Sequence, residues 1–220
     1  MKQSKTKSSP APWASVVSAI ALVLVAAGCG TTSDIQYEAG WSAALLQDYD
    51  RVVVQDFANG VAADPDDEPA EVEAFDAKMS AAGLEFADRI QSHVKQSQAF
   101  EDVVRAQPPA AAFRLASTRG SSGPGEALEI SGEITRYREG SSAARLLIGM
   151  GVGSSYFDAV VLLTDGRTGE RIGTIVVDRN SWALGGSLAA DQTVGSFMEE
   201  AARTVANRLA EARRPADEDT

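Results

Sequence analysis

Val160-Val161-Leu162-Leu163-Thr164-Asp165-Gly166-Arg167-Thr168-Gly169-Glu170-Arg171-Ile172-Gly173-Thr174-Ile175-Val176-Val177 reads as two strands joined by a tight turn. β-Branched and aliphatic residues crowd both arms, and the paired Asp-Gly and Thr-Gly steps supply the backbone freedom a hairpin needs. The expected strands cover 155–164 and 171–178. Their centres, Val160 to Leu163 and Ile175 to Val177, are apolar at consecutive positions, so both faces of each strand are apolar. Strands of that kind are central and covered on both sides, or present one face to a partner.

Upstream, Leu128, Ile130 and Ile134 alternate with Glu129, Ser131 and Glu133, the period-two signature of a strand with one buried and one wet face. Two shorter strands are expected: 51–57, ended by Asn59-Gly60, and 100–105, closed by Pro108-Pro109. A helix is predicted over 70–96, where Val72, Phe75, Met79, Phe86 and Ile90 share one face. Gly83 inside it marks a kink or break. A second helix is predicted over 193–212, with Val194, Phe197, Met198, Ala201, Val205 and Leu209 in one stripe and Glu199, Glu200, Arg203, Asn207 and Glu211 opposite. The order is strand, helix, strand, three strands, helix. This implies an α+β fold: an antiparallel or mixed sheet of about five strands with two main amphipathic helices packed on it.

The N-terminus has a different character. Lys2, Lys5 and Lys7 precede a run over 16–27 that is apolar apart from Ser18 and leads through the small residues Ala26-Ala27-Gly28 to Cys29. A run of roughly a dozen residues is too short for a membrane span, which needs about 20, and is the right length for an export signal. The segment resembles the lipobox of bacterial lipoproteins, in which the thiol is acylated and cleavage falls between the residues standing here as Gly28 and Cys29. Ala26 departs from the usual Leu. An ordinary secretory signal cut near Ala27 is the alternative. Gly30, rather than Asp, after the cysteine implies the periplasmic face of the outer membrane if the host is Gram-negative. The expected organisation is a signal peptide over 1–28, a lipid-anchored tether over 29–48, one α+β domain over 49–213 and an acidic tail over 214–220. As a flexible chain of about 20 residues the tether would span roughly 25 Å, although Trp41, Leu45 and Leu46 are positioned to dock on the domain.

Removing residues 1–28 takes away three lysines and no acid, which moves the net charge from −11 to −14. So acidic a body repels nucleic acid and anionic surfaces. Cys29 is the single cysteine, so neither a disulfide nor a cysteine-based metal site is expected within the mature chain. With 44% hydrophobic residues, the remaining stretch of about 190 can build one core.

Glu129-Ile130-Ser131-Gly132-Glu133-Ile134, the glycine-bearing 140–153 stretch, the Thr168-Gly169-Glu170 turn and Gly185-Gly186 before the last helix together resemble the bacterial lipoproteins grouped as domain of unknown function 4410. The likeness covers roughly 50–209. It implies an envelope lipoprotein with a mixed α/β domain and assigns no catalytic residue.

Arg145-Leu146-Leu147-Ile148-Gly149-Met150-Gly151-Val152-Gly153 is the most unusual mature stretch. Its glycines do not make a dinucleotide fingerprint, because position 154 is Ser and a strand, not a helix, follows. It reads either as a bent or bulged strand where glycines admit another backbone, or as a loop that docks on a partner or dips into lipid, with Arg145 the charge at its rim. His93 stands alone beside the apolar stripe of its helix, where a metal ligand would want companions. Asp64, Asp66, Asp67 and Glu68 lack the spacing of a calcium loop and read as solvated charge. A hydrolase would need acids or His93 converging in a cleft, and a ligand pocket would draw on Tyr137, Tyr156 or Trp182. The pattern as a whole points to a non-catalytic envelope lipoprotein. It would need no cofactor, be held to the membrane by acylated Cys29, and act by contact with an envelope protein or with itself.

Overall fold

The hairpin forms as its sequence predicts, and the rest of the molecule is arranged around it. The computed structural model describes residues 31–63, 66, 68–106, 127–140, 154–180 and 193–214. Its strands are β1 (Thr31–Thr32), β2 (Gln36–Tyr37), β3 (Arg51–Val54), β4 (Ala58–Asn59), β5 (Asp102–Arg105), β6 (Ala127–Arg138), β7 (Tyr156–Asp165) and β8 (Arg171–Asn180). The helices are α1 (Pro69–Ser97) and α2 (Val194–Ala212), with a 3-10 helix at Ala43–Asp48. The fold is α+β. Among the described residues, one mixed sheet of eight strands runs in the order β1-β8-β7-β6-β3-β5, with β2 also on β8 and β4 also on β6. Five of these strands are the ones expected; β1, β2 and β4 are two-residue additions.

β6, β7 and β8 form the expected antiparallel meander. Asp165 organises its turn: the side chain accepts the amide protons of Arg167 at 2.7 Å and Thr168 at 3.1 Å, and Gly169 takes φ +70°. Burial pushes the Asp165 pKa up, but those two amides and the Tyr49 hydroxyl outweigh it and hold the group below its ordinary value. β3 lies parallel to both β5 and β6, an arrangement that requires a crossover, and α1 supplies it between β3 and β5.

α1 starts at Pro69, whose fixed φ suits a first helical turn, and Glu71 accepts the Glu68 amide. It ends at Gln98, which is left-handed with φ 56°. α2 is capped reciprocally: Ser196 donates its amide to Thr193 Oγ1 at 3.1 Å, and Thr193 donates its own to Ser196 Oγ at 2.9 Å. Met79, Phe86, Ile90 and Val94 of α1 and Phe197, Met198, Ala201, Val205 and Leu209 of α2 are buried together with Phe157, Ala159, Val161 and Leu163 of β7. Both helices therefore lie on one face of the sheet. Phe86 joins them to it, with ring centroids 4.9 Å from Phe57 and 4.8 Å from Phe157.

Two expectations change. α1 runs through Gly83 without a break, and the glycine serves a close approach instead: a Cβ there would collide with the Phe57 carbonyl oxygen. The stretch drawn as a tether is largely part of the body. Thr31 and Thr32 pair with Asp178 and Val177, and Gln36 and Tyr37 pair with Thr174 and Gly173. Arg208 of α2 reaches Asp34 at 2.9 Å, Leu46 is fully buried, Trp41 packs on the core and Leu45 stays exposed. This edge can be zipped because Gly173 has no Cβ to block the Gln36 carbonyl.

Candidate functional site

Alternation along β7 divides its side chains cleanly. Phe157, Ala159, Val161 and Leu163 face the helices and are fully buried, while Val160 and Leu162 face the other way and are only partly covered. The register sets Glu133, Val160 and Val176 side by side across β6, β7 and β8, and Ser131, Leu162 and Thr174 in the adjacent row. Val176 is 40% exposed. The two-sided apolarity of the sequence thus becomes an apolar strip on the helix-free face, bordered by Glu129, Glu133, Asp158 and Asp178. Among the described residues, neither helix covers this face.

On the helix side, an open groove of about 600 Å³ runs along α1, lined by Leu84, Glu85, Arg89 and His93 of that helix and by Glu199 of α2. His93 Nε2 lies 2.7 Å from Glu199 Oε1, and Arg89 reaches Glu199 Oε2 at 2.6 Å and Glu85 at 2.7 Å. The four side chains staple the helices. His93 and then Arg89 hold the Glu199 carboxyl below its ordinary 4.5. A depressed carboxyl contributes stability above its unfolded pKa, and that contribution is lost as pH falls through the folded value. As pH drops below 4.5, the wild type is therefore expected to lose stability faster than Glu199→Gln. The Glu199 side chain is 47% exposed, so screening keeps the difference under about 1 kcal/mol. Urea midpoints across that pH range check this, and parallel curves would remove the staple from the stability account.

The remaining sequence candidates separate. Tyr137 pairs in register with Phe157 and so faces the helices, where its hydroxyl donates to Glu139 at 2.9 Å. Lys78 and then Tyr137 hold Glu139 below its usual range, while burial, followed by the Glu139 acceptor, raises the Tyr137 hydroxyl. Tyr156 faces the opposite side and lies 4.3 Å beneath the Arg136 guanidinium. The two tyrosines are on opposite faces of the sheet and cannot line one pocket. Gln55 donates to Glu129 at 2.7 Å, and Arg179 binds Glu200 at 3.1 Å. Among the described residues, no group of three His, Cys, Asp or Glu is placed to hold a metal ion, and no helix is long and apolar enough to cross a membrane. Gly28, Cys29, Asp64, Asp67, residues 145–153 and Trp182 lie outside the described residues.

Arg179 is a structural residue that the sequence reading does not name. It follows Ile175 and Val177 on the helix side of β8, is 7% exposed, and reaches Thr32 of β1 at 3.0 Å as well as Glu200 of α2. It thereby ties β1, β8 and α2 together. Its signal was a charge at a position where the alternation calls for an apolar side chain.

No curated protein matches the chain. Among solved structures, it is similar to the PelC dodecamer from Paraburkholderia phytofirmans at 16% identity and a TM-score of 0.47, over 82% of this chain and 97% of that one. It is also similar to protein XCC0632 from Xanthomonas campestris, at 9% identity and a TM-score of 0.39 over 81% and 91% of the two chains. A homologue of the neuraminyllactose-binding hemagglutinin from Helicobacter pylori matches at 11% identity and 0.33, again over 81% and 91%. The family described as Domain of unknown function (DUF4410) matches residues 52–185, and the chain belongs to it.

Proposed function

We propose that the chain is a lipoprotein of the bacterial cell envelope, anchored through Cys29, that works by protein contact and catalyses no reaction. The observation that carries the contact reading is the strip of Val160, Leu162 and Val176 on the helix-free face. An apolar strip ringed by carboxylates on a strongly acidic chain is the pattern of a contact core within a charged rim. The 145–153 stretch, with Arg145 its only charge, is the second contact candidate. It belongs to the connection between β6 and β7, and β7 carries Val160 and Leu162 of the strip. The anchor reading rests on the lipobox-like Ala26-Ala27-Gly28-Cys29.

Crosslinking in the native host tests this. Leu162→Glu with Val176→Glu places two charges on the strip without touching the helix-side core. In a variant that keeps wild-type circular dichroism, the main crosslinked adduct is expected to disappear. Leu147→Asp with Ile148→Asp makes the same test of the 145–153 stretch. If every adduct survives both pairs in a folded protein, the contact reading fails.

A further inference from the structure

The pairing of Thr31 with Asp178 fixes where the anchor meets the fold. Cys29 precedes Thr31 by two residues, and a chain extends at most about 3.6 Å per residue, so Cys29 stays within about 7 Å of Thr31. A free tether of about 20 residues would instead allow roughly 25 Å. Strand pairing continues to Tyr37 and the 3-10 helix follows, so little slack is left to recover that reach.

We propose that the corner of the sheet where β1 meets the end of β8 is held directly against the bilayer surface. This rests on the lipid-anchor reading of Cys29. Asn180, Tyr156 and Arg138 come to this same end, because Tyr156 pairs with both Asn180 and Arg138. Arg136 and Arg138 are exposed there, with the Arg136 guanidinium stacked on Tyr156 and paired with Asp158 at 3.2 Å, so that the two arginines offset Asp158 and the exposed Asp178 and leave a cation and an aromatic ring for lipid headgroups. At the start of α1 the acids are not offset in this way: Glu68, Glu71, Glu73 and Asp76 are exposed, and Asp76 is bound to Asn59 of β4, across β6 and β7 from the anchor corner. An anionic headgroup layer repels that side, so the molecule tilts with the β8 corner down and the α1 start turned away. The Arg167 turn lies at the far end of the ten-residue β7, about 30 Å from the corner.

The test uses the full acylated protein in vesicles of phosphatidylethanolamine and phosphatidylglycerol containing nitroxide-headgroup lipid. Asn180→Cys, Glu73→Cys and Arg167→Cys each receive a fluorophore, and mass spectrometry of the N-terminal peptide records whether Cys29 carries acyl chains. Quenching at 180 is expected to exceed that at 73 and at 167 several-fold. Insertion of about 20 Gly/Ser residues between Gly30 and Thr31 is expected to abolish most of that excess, since it restores the roughly 25 Å of slack. Equal quenching at the three positions, or quenching at 180 that ignores the insertion, overturns the proposal. An N-terminal peptide with unmodified Cys29 overturns the anchor reading itself, whereas acylated Cys29 without the excess quenching at 180 defeats only the placement.

Discussion

Phe86→Ala is expected to destabilise the protein by about 4 kcal/mol, as deletion of a fully buried aromatic side chain does when the cavity cannot collapse. Phe86 has no solvent exposure and packs edge-on against two rings, Phe57 at an interplanar angle of 66° and Phe157 at 71°. Those rings belong to different parts of the fold. Phe57 sits between β3 and β4, and Phe157 is on β7, so one side chain on α1 holds both halves of the sheet to the helix layer. Relaxation into the vacated space is blocked on the Phe57 side, because the Phe57 carbonyl already lies against Gly83, which leaves no room for α1 to slide closer. With a urea slope of about 2 kcal/mol/M, the midpoint is expected to fall by about 2 M with the slope unchanged. Phe86→Leu keeps most of the apolar volume and is expected to cost less than half as much. Equal losses in the two variants would show that aromatic geometry, not volume, sets the value of the site.

The same rings show what the sequence could and could not reveal. α1, α2 and the β7–β8 hairpin were legible because their signals are local: periods of 3.6 and 2, and a turn rich in Gly between β-branched arms. The parallel placement of β3 between β5 and β6 was not, since it depends on pairings such as Val52 with Val103 and Leu128 that no local pattern encodes. Residues 31–38 looked like a tether for a related reason. Thr31–Thr32 and Gln36–Tyr37 have no periodicity of their own and become strands only because β8 offers an edge and Gly173 leaves space beside it. The apolar strip was half legible: runs of consecutive apolar residues announced two-sided strands, but not which side the helices would leave open. His93 and Glu199 are separated by 106 positions, so their bond could not be read from spacing.

Gly132→Ala is expected to cost about 3–4 kcal/mol, at the upper end of what overpacking does. Gly132 lies mid-strand in β6, opposite Val161, with φ +155°. A Cβ built there overlaps the Val160 carbonyl oxygen and stands 2.7 Å from Phe57 Cε1. The first obstacle is backbone in the central ladder, which cannot swing aside as the end of a long side chain would. The second is a ring already held by Phe86. Relief therefore requires β6 and β7 to separate where their pairing is longest, or Phe57 to leave the core. Gly40 separates the clash from the backbone conformation, because it also has positive φ, at +91°, with nothing within 4 Å of a built Cβ. Gly40→Ala carries only the conformational penalty and is expected to cost about 1 kcal/mol. Urea midpoints of the two variants decide between the terms. A Gly132→Ala loss no larger than that of Gly40→Ala would mean that the sheet yields at β6, and that the close approach of Phe57 and Val160 does not set the requirement for glycine.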